Sequence, residues 1–404
     1  MKTSAPAGVD RLLTRDFILV TISGFFAVAG FASTLPLVPR YVEGELGGGK
    51  IAVGVAVGIF SVTAVFARPF IGKLGDERGR RFIIVLGTSI TAVIVAAHAL
   101  ATSLPLMYAI RLAMGFTQGA FFVGTATLVN DLAPPERRGE ATNYFSVAVY
   151  GGMAFGPLLG ELVQQSHGFG WAFVAGGASL AVAAAMATRL PARVPRPSGA
   201  GPASTVTGNR LSRMLYLPAL APGIVLMMGI VTFTALNGFM PLYVEELDLG
   251  SAGGILMVYG LLVLAMRVVG SKIPDRWGTR RTAVVSLFGQ VAGMLVMGAW
   301  NSTIGVYVGA VVLAVGGSFL YPALLTAAIY NVPDDARARA TSTFSVAFEL
   351  SSGIGGPVLG LAAAIGGTRW AFFASAAFAA LGLPLLFEWA RRRPEAMVPP
   401  RVDT

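Results

Sequence analysis

The chain has 404 residues, of which 55% are hydrophobic and 12% charged, and its mean hydropathy is +0.71. That balance excludes a soluble globule, and the formal net charge of +10 would point to nucleic acid only on a soluble surface. Cysteine is absent, so disulfides and thiol chemistry are excluded and redox says nothing of compartment.

A charged segment, 1–16, precedes six apolar runs near 17–39, 51–72, 82–101, 106–129, 142–163 and 171–189. Each is long enough to cross about 30 Å of hydrocarbon as a helix. The first run starts after Asp16, is too long for a signal-peptide core and lacks a small-residue cleavage site, so it reads as a retained helix. Residues 190–216 are rich in Pro, Gly, Ser and Arg and read as a flexible linker, with a short surface helix expected around 210–215. Six more runs follow near 217–241, 252–270, 282–300, 305–330, 341–364 and 370–389, and the tail 391–404 is basic. The alternating pattern of a membrane β-barrel is not present. The pattern predicts an all-α membrane protein: a six-helix bundle over 17–189, the linker, and a second bundle over 217–390.

Alternate loops carry the positive charge. Arg11 and Arg15 precede the first run, Lys73, Arg78, Arg80 and Arg81 follow the second, and Arg137 and Arg138 follow the fourth. The linker holds Arg193, Arg196, Arg210 and Arg213, and Arg391, Arg392 and Arg393 follow the twelfth run. Acids cluster in the intervening loops, at Glu43 and Glu45 and at Glu245, Glu246 and Asp248. Both termini and the linker are therefore expected in the cytoplasm, and the charge is topology, not a nucleic-acid footprint.

The halves repeat one another. Gly72, Asp76, Gly79, Arg80 and Arg81 lie in a basic loop whose second copy holds Asp275, Gly278 and Arg280; Asp76 and Asp275 are 199 positions apart, as are Gly79 and Gly278. Phe145-Ser146-Val147-Ala148 echoes Phe344-Ser345-Val346-Ala347, Gly156-Pro157 echoes Gly356-Pro357, and Trp171-Ala172-Phe173 echoes Trp370-Ala371-Phe372. Because each half has an even number of spans, the two enter from the same side and are related by an axis along the membrane normal.

These residues resemble the major facilitator superfamily (MFS) over essentially the whole chain. Gly72, Asp76, Gly79, Arg80 and Arg81 match its loop motif between helices 2 and 3, and Arg111 with Gly115 matches its helix 4 motif, with Met114 in place of the usual Gln. Gly152, Gly156, Pro157 and Gly160 are similar to the helix 5 motif of its drug/proton antiporter branch, although Glu161 stands where that motif has its last Gly. The resemblance implies twelve helices in two pseudo-symmetric six-helix bundles that rock about a central cavity lined mainly by helices 1, 4, 7 and 10. Here Phe26 and Ser33, Arg111 and Gln118, Thr234 and Asn237, and Ser318 and Tyr321 would supply that lining. The mixture is largely apolar and suits an amphipathic organic molecule better than a sugar.

Ionisable groups inside a membrane are costly and usually functional. Glu349, about two turns into the eleventh run, is the first candidate for carrying a proton or binding a cationic group, and Arg111 a candidate for an anionic one. Helix 1 has no acid in its middle, which leaves Glu161 as the second proton candidate, although its place near a helix end reads more simply as an interfacial charge. Asp76 can oppose the N-terminal end of helix 11 near Ala340, and Asp275 that of helix 5 near Glu140, so that the paired loops act as conformational latches. Gly156-Pro157 and Gly356-Pro357 are read as a helix bend at the interface between the halves or as simple close packing.

Other signals carry little. Gly44–Lys50 resembles a nucleotide loop, but Ile51 replaces the Ser/Thr that would ligate Mg²⁺. His98 and His167 form no metal-binding spacing, and no catalytic constellation, metal site or cofactor is expected. The expected activity is proton-coupled efflux of a hydrophobic or amphipathic small molecule by a monomer in a bacterial cytoplasmic membrane, with the proton gradient as driving force. The alternatives are uptake of a small metabolite or organic anion held by Arg111, and a non-transporting receptor on the same fold.

Overall fold

In the computed structural model the described residues are 12–134, 137–192, 216–271 and 273–397, and no strand occurs among them. Eleven segments are long and apolar enough to cross a membrane. One of them, Arg138–Ala187, is two helices merged across Gly168, where φ is 85°. The spans are α1 (Arg15–Glu43), α2 (50–78), α3 (Arg80–Leu100), α4 (Leu104–Leu132), α5 (138–167) and α6 (169–187). After the linker come α7 (Leu217–Glu246), α8 (Ala252–Val269), α9 (279–299), α10 (Thr303–Ala328), α11 (Asp334–Gly366) and α12 (Arg369–Arg392). The expected surface helix at 210–215 lies outside the described residues.

The sequence repeat is also a repeat of backbone geometry. Gly79 has φ 92° and Gly278 φ 74°, at the breaks before α3 and α9. Gly168 and Gly367, again 199 positions apart, have φ 85° and 86° at the α5–α6 and α11–α12 turns. Glycine enters this region without a Cβ penalty, so one residue type marks the same two corners in both halves.

Within the first half α1 packs on α5 and α6, and α4 on α2 and α3; in the second, α7 packs on α11 and α12, and α9 on α10 and α12. Between the halves the contacts are crossed: α2 meets α11, α5 meets α8, and the far end of α1 meets α7.

The apolar core divides unevenly. On the side away from Leu12 and Met397, one buried cluster joins Leu37, Val53 and Phe173 of the first half to Phe239, Leu256 and Leu359 of the second. On the side of Leu12 and Met397 each buried cluster stays within one half: one around Phe17, Ile84 and Leu128 and a small one around Ile71 and Ile83 in the first, and one around Leu287, Leu324 and Phe344 in the second. Among the described residues the buried core joins the halves on one side and divides between them on the other.

The two Gly-Pro motifs are not equivalent in packing. On α5, Gly152, Gly156 and Gly160 all face α1 of their own half: a Cβ on Gly156 would lie 2.5 Å from the Ala29 carbonyl, and one on Gly160 2.6 Å from that of Ser33. On α11, Gly356 and Gly360 face α2 across the interface, a Cβ on Gly356 lying 2.4 Å from the Gly54 carbonyl. Phe145 to Gly156 is 11 residues, whereas Phe344 to Gly356 is 12. One extra residue turns a helix by about 100°, which carries the same motif to a different neighbour. The glycines of the α11 copy thus pack across the interface and those of α5 within one half, although the α5 motif also reaches the interface through Pro157, whose carbonyl would lie 2.9 Å from a Cβ on Gly253 of α8.

Candidate functional site

The fused side is closed by charge as well as by apolar packing. Arg40, near the end of α1, donates from Nε to Glu245 of α7 at 2.8 Å and from a terminal nitrogen to Gln164 at 3.2 Å. The same guanidinium lies 3.8 Å from Glu161. Lys50, at the start of α2, bonds Glu43 and reaches across to Glu246, which also accepts from the Thr368 hydroxyl at 2.6 Å.

Glu161 is the centre of this clamp. It comes from α5, is 3% exposed, and its Oε2 accepts from the Ser251 hydroxyl at 2.6 Å and the Gly253 N–H at 2.5 Å. Those groups form the first turn of α8, whose N–H donors have no partner inside the helix and whose dipole end is positive. Ser251 also caps α8 by accepting from Gly254 N–H at 2.9 Å. Reading Glu161 as a snorkelling interfacial charge is thus wrong: the helix dipole and Arg40 supply the compensation that water would otherwise provide.

Deeper in, Arg111 on α4 is 3% exposed and already engaged. Its Nε donates to the Ala56 carbonyl at 2.8 Å, a terminal nitrogen to Val57 at 3.4 Å, and its plane lies over Phe60, 4.9 Å from the ring centre. These groups flank Ile59, where the two α2 helices Lys50–Gly58 and Phe60–Arg78 meet. One turn on, Gly115 lets α4 touch α2, since a Cβ there would lie 1.8 Å from the Phe60 carbonyl. The pair forms a structural joint that engages Nε and one terminal nitrogen of Arg111, while the other terminal nitrogen has only the Met114 sulfur, at 3.6 Å. Lysine has one compact donor group and cannot reproduce the fork or the stacking. Arg111→Lys should lower stability by about 1–3 kcal/mol, read as a fall in melting temperature, while the surviving protein keeps its substrate affinity; unchanged melting with lost affinity would contradict this.

The other predicted lining residues divide. Ser33 is buried and donates to the Gly30 carbonyl at 2.8 Å, and Ser318 donates to Ala314 within its own helix. Phe26 packs in the first-half core, edge-on to Phe25. Asn237 donates to the Phe233 carbonyl at 2.8 Å, and Thr234 bonds Ser352 of α11 at 3.2 Å. Tyr321 packs edge-on against Phe344 and Phe348 of α11. Gln118 has its Oε1 buried without a hydrogen-bond partner. Glu349 is half-buried on α11, between Phe348 and the turn that holds Ser352.

A twelve-helix protein divided into two repeats, fused on one side and split on the other, has the shape of an alternating-access carrier. The sequence profile of the Major Facilitator Superfamily matches residues 20–301 and 255–403. The chain belongs to the major facilitator superfamily. An uncharacterized MFS-type transporter of Salmonella typhimurium is 26% identical over 363 residues, 86% of this chain and 89% of the relative. An uncharacterized MFS-type transporter of Burkholderia mallei is 29% identical over 385 residues, 91% and 90% of the two chains. The structure is similar to that of a variant of the peptide transporter POT, with a TM-score of 0.80 at 13% identity, covering 96% of this chain and 97% of that one. That likeness is one of fold.

The MFS loop motif is only partly in view. The side chains of Asp76 and Asp275 lie outside the described residues. Arg80 lies 4.0 Å from Asp131 at the end of α4, and Arg280 lies over the Phe387 ring at 5.4 Å. α11 starts at Asp334, earlier than Ala340, and Ala340 is buried in the second-half core. Glu140 is held by Arg137 at 2.8 and 2.9 Å.

Two residues acquire weight that this MFS chain's sequence did not give them. Glu161 was visible as a departure from the helix 5 motif, and a charge in place of a packing glycine is a signal in itself. Arg267 was visible only as the repeat partner of Arg68. On α8 its guanidinium lies 4.6 Å from the centre of the Tyr150 ring on α5, across the interface, and its Nε is shielded without a hydrogen-bond partner. Tyr259 and Tyr321 lie within electrostatic reach of the same pair.

Proposed function

We propose that this MFS protein is a secondary active transporter that exports a hydrophobic or amphipathic small molecule, coupled to inward proton flow. The observation that supports it most is the divided core: a clamped joint on one side and clusters each confined to one half on the other fit one end state of a rocking carrier. The excess of Lys and Arg in the loops of the split side supports a cytoplasmic placing of that side, on which this is the inward-facing state, with the Arg40, Lys50 and Glu161 clamp facing out. The basic loops at Asp76 and Asp275 would serve the opposite state as cytoplasmic latches. No cofactor is required, and the unit is a monomer.

Aromatic rings from α5, α7, α8, α10 and α11 (Tyr150, Phe233, Tyr259, Tyr321 and Phe348) gather where the halves face each other, which favours an apolar cargo. Glu349 remains the candidate proton carrier, because it is an intramembrane carboxyl on a helix that changes partners as the halves rock. Uptake of a metabolite or organic anion would use the same fold; it is less favoured because Arg111 bonds the carbonyls of Ala56 and Val57 at the α2 break.

The test is proton flux in proteoliposomes against a panel of cationic, neutral and anionic amphipaths. Substrate addition should move protons in the unmodified protein, and Glu349→Gln should abolish that movement while substrate still binds. A proton response that survives in Glu349→Gln removes this residue from the mechanism; absence of flux with every compound overturns the transport reading.

A further inference from the structure

Among the described residues Arg267 enters no ion pair and no hydrogen bond, and its Nε is shielded from solvent. The sequence repeat shows which partner this position lacks. Counted from Phe145 and Phe344, Tyr150 and Glu349 hold the same place, and 199 positions separate Tyr150 from Glu349 and Arg68 from Arg267 alike. The α2–α11 crossing thus carries an arginine and a carboxylate in its sequence, whereas the α5–α8 crossing carries Arg267 and a phenol. The guanidinium lies 4.6 Å from the centre of the Tyr150 ring. Stacking answers the charge only in part and leaves the N–H donors of the fork unspent.

The surroundings of the stack supply more donors and aromatic faces. Tyr259, two turns before Arg267 on α8, and Tyr321 of α10 lie within electrostatic reach of the pair. All four residues are half-buried, and among the described residues no hydrogen bond uses the three phenol hydroxyls. None of these hydroxyls is sealed off, so each can reach a guest. Phe233 of α7 packs on the Tyr259 ring at 6.3 Å, and Phe348 of α11 on the Tyr321 ring at 6.5 Å. Glu349 follows Phe348 on α11 and is not paired with Arg267. One guanidinium and three unspent hydroxyls, framed by rings from both halves, suit a guest that brings an acceptor with negative charge. A neutral guest would leave the guanidinium unanswered, and a cationic one would be repelled by it.

We propose that Arg267 binds the carboxylate of the cargo, and that the cargo is an amphipathic aromatic carboxylate. Its carboxylate supplies at the α5–α8 crossing the negative group that Glu349 brings to the sequence of the other crossing. It accepts from the guanidinium fork, whose planar donors match a carboxylate, and from the neighbouring phenol hydroxyls. Its ring lies among Tyr150, Tyr259, Tyr321, Phe233 and Phe348, whose faces and edges favour aromatic contacts. The proposal rests on the transport reading and narrows its substrate to molecules that join an aromatic body to one negative group.

The test is a scintillation-proximity binding assay on the full chain in nanodiscs of zwitterionic lipid, with tritiated naphthaleneacetate as probe and empty nanodiscs subtracted. The probe should bind, its primary amide should compete at least about tenfold more weakly, and naphthylmethylammonium should not compete. Arg267→Gln should weaken binding about tenfold or more, whereas Arg267→Lys should keep part of the affinity, because the charge stays and the fork is lost. Tyr150→Glu gives this crossing the acid of the other one, so it should abolish probe binding while the melting temperature holds or rises. Equal competition by the amide, undiminished binding in Arg267→Gln or in Tyr150→Glu, or no binding at all would each overturn the proposal. The amide comparison needs no variant, so it decides even if both variants fail to fold. Flux of neutral or cationic amphipaths without carboxylate binding would sink this inference and leave the transport reading standing, whereas no flux of any compound sinks both.

Discussion

Gly356→Leu should abolish transport while leaving an assembled, membrane-inserted protein. Gly356 is the point where α11 of one half meets α2 of the other, and the contact is backbone on backbone. A Cβ at this position would lie 2.4 Å from the Gly54 carbonyl, and a Cβ on Gly54 would lie 2.3 Å from the Gly356 carbonyl. Neither neighbour is a flexible side chain that can turn aside. The joint must open by ångströms to admit a leucine, and that opening is the motion that takes the clamped end state to the other one. Overpacking costs typically 1–3 kcal/mol, and here the cost falls on one conformation only. A shift of that size moves a two-state balance by about 5- to 150-fold, so a carrier that must visit both states stalls in one. Substrate binding from the outside should persist. Normal turnover in Gly356→Leu would show that the α2–α11 contact does not have to re-form in each cycle.

Glu161→Ala is the second large effect, and it acts on the other crossing. The carboxylate is buried, lies 3.8 Å from Arg40 and holds the first turn of α8 through Ser251 and Gly253. Its removal leaves buried donors unanswered and Arg40 with Glu245 as its remaining charge partner across the interface. Hydrogen bonds to a charged group contribute about 1.5–3 kcal/mol each to what they hold together. The clamped state should lose roughly tenfold or more of its population, and the protein should bind substrate more readily from outside and release it inward more slowly. Glu161→Gln keeps one acceptor and should fall between the two. If Glu161→Ala transports at the normal rate with an unchanged conformational balance, the clamp is ornamental and the closed side is held by apolar packing alone.

The architecture was legible because membrane spans are long and the repeat is written in residues that backbone geometry demands. Gly79 and Gly278 could be paired by counting, and both have positive φ. What could not be counted was rotation: the single residue inserted between Phe344 and Gly356 turns the α11 motif toward α2, and no local pattern reveals which helix waits there. The same limit applies to Arg111. Its cost inside a membrane marks it as special, but the sequence does not say whether a ligand or a broken α2 supplies the acceptors.

The central claim is that the halves rock about the clamped joint, closing one side as the other opens. The chain contains no cysteine, so spin labels can be placed without removing any. Thr102→Cys with Ile304→Cys reports the clamped side, and Thr142→Cys with Ser342→Cys reports the split side, all four positions being exposed. Pulsed electron–electron distance measurements on both pairs in nanodiscs, with and without Gly356→Leu, test the claim directly. The account predicts opposite changes: in Gly356→Leu the first distance lengthens and the second shortens. Distances that stay fixed, or that lengthen together, would contradict it.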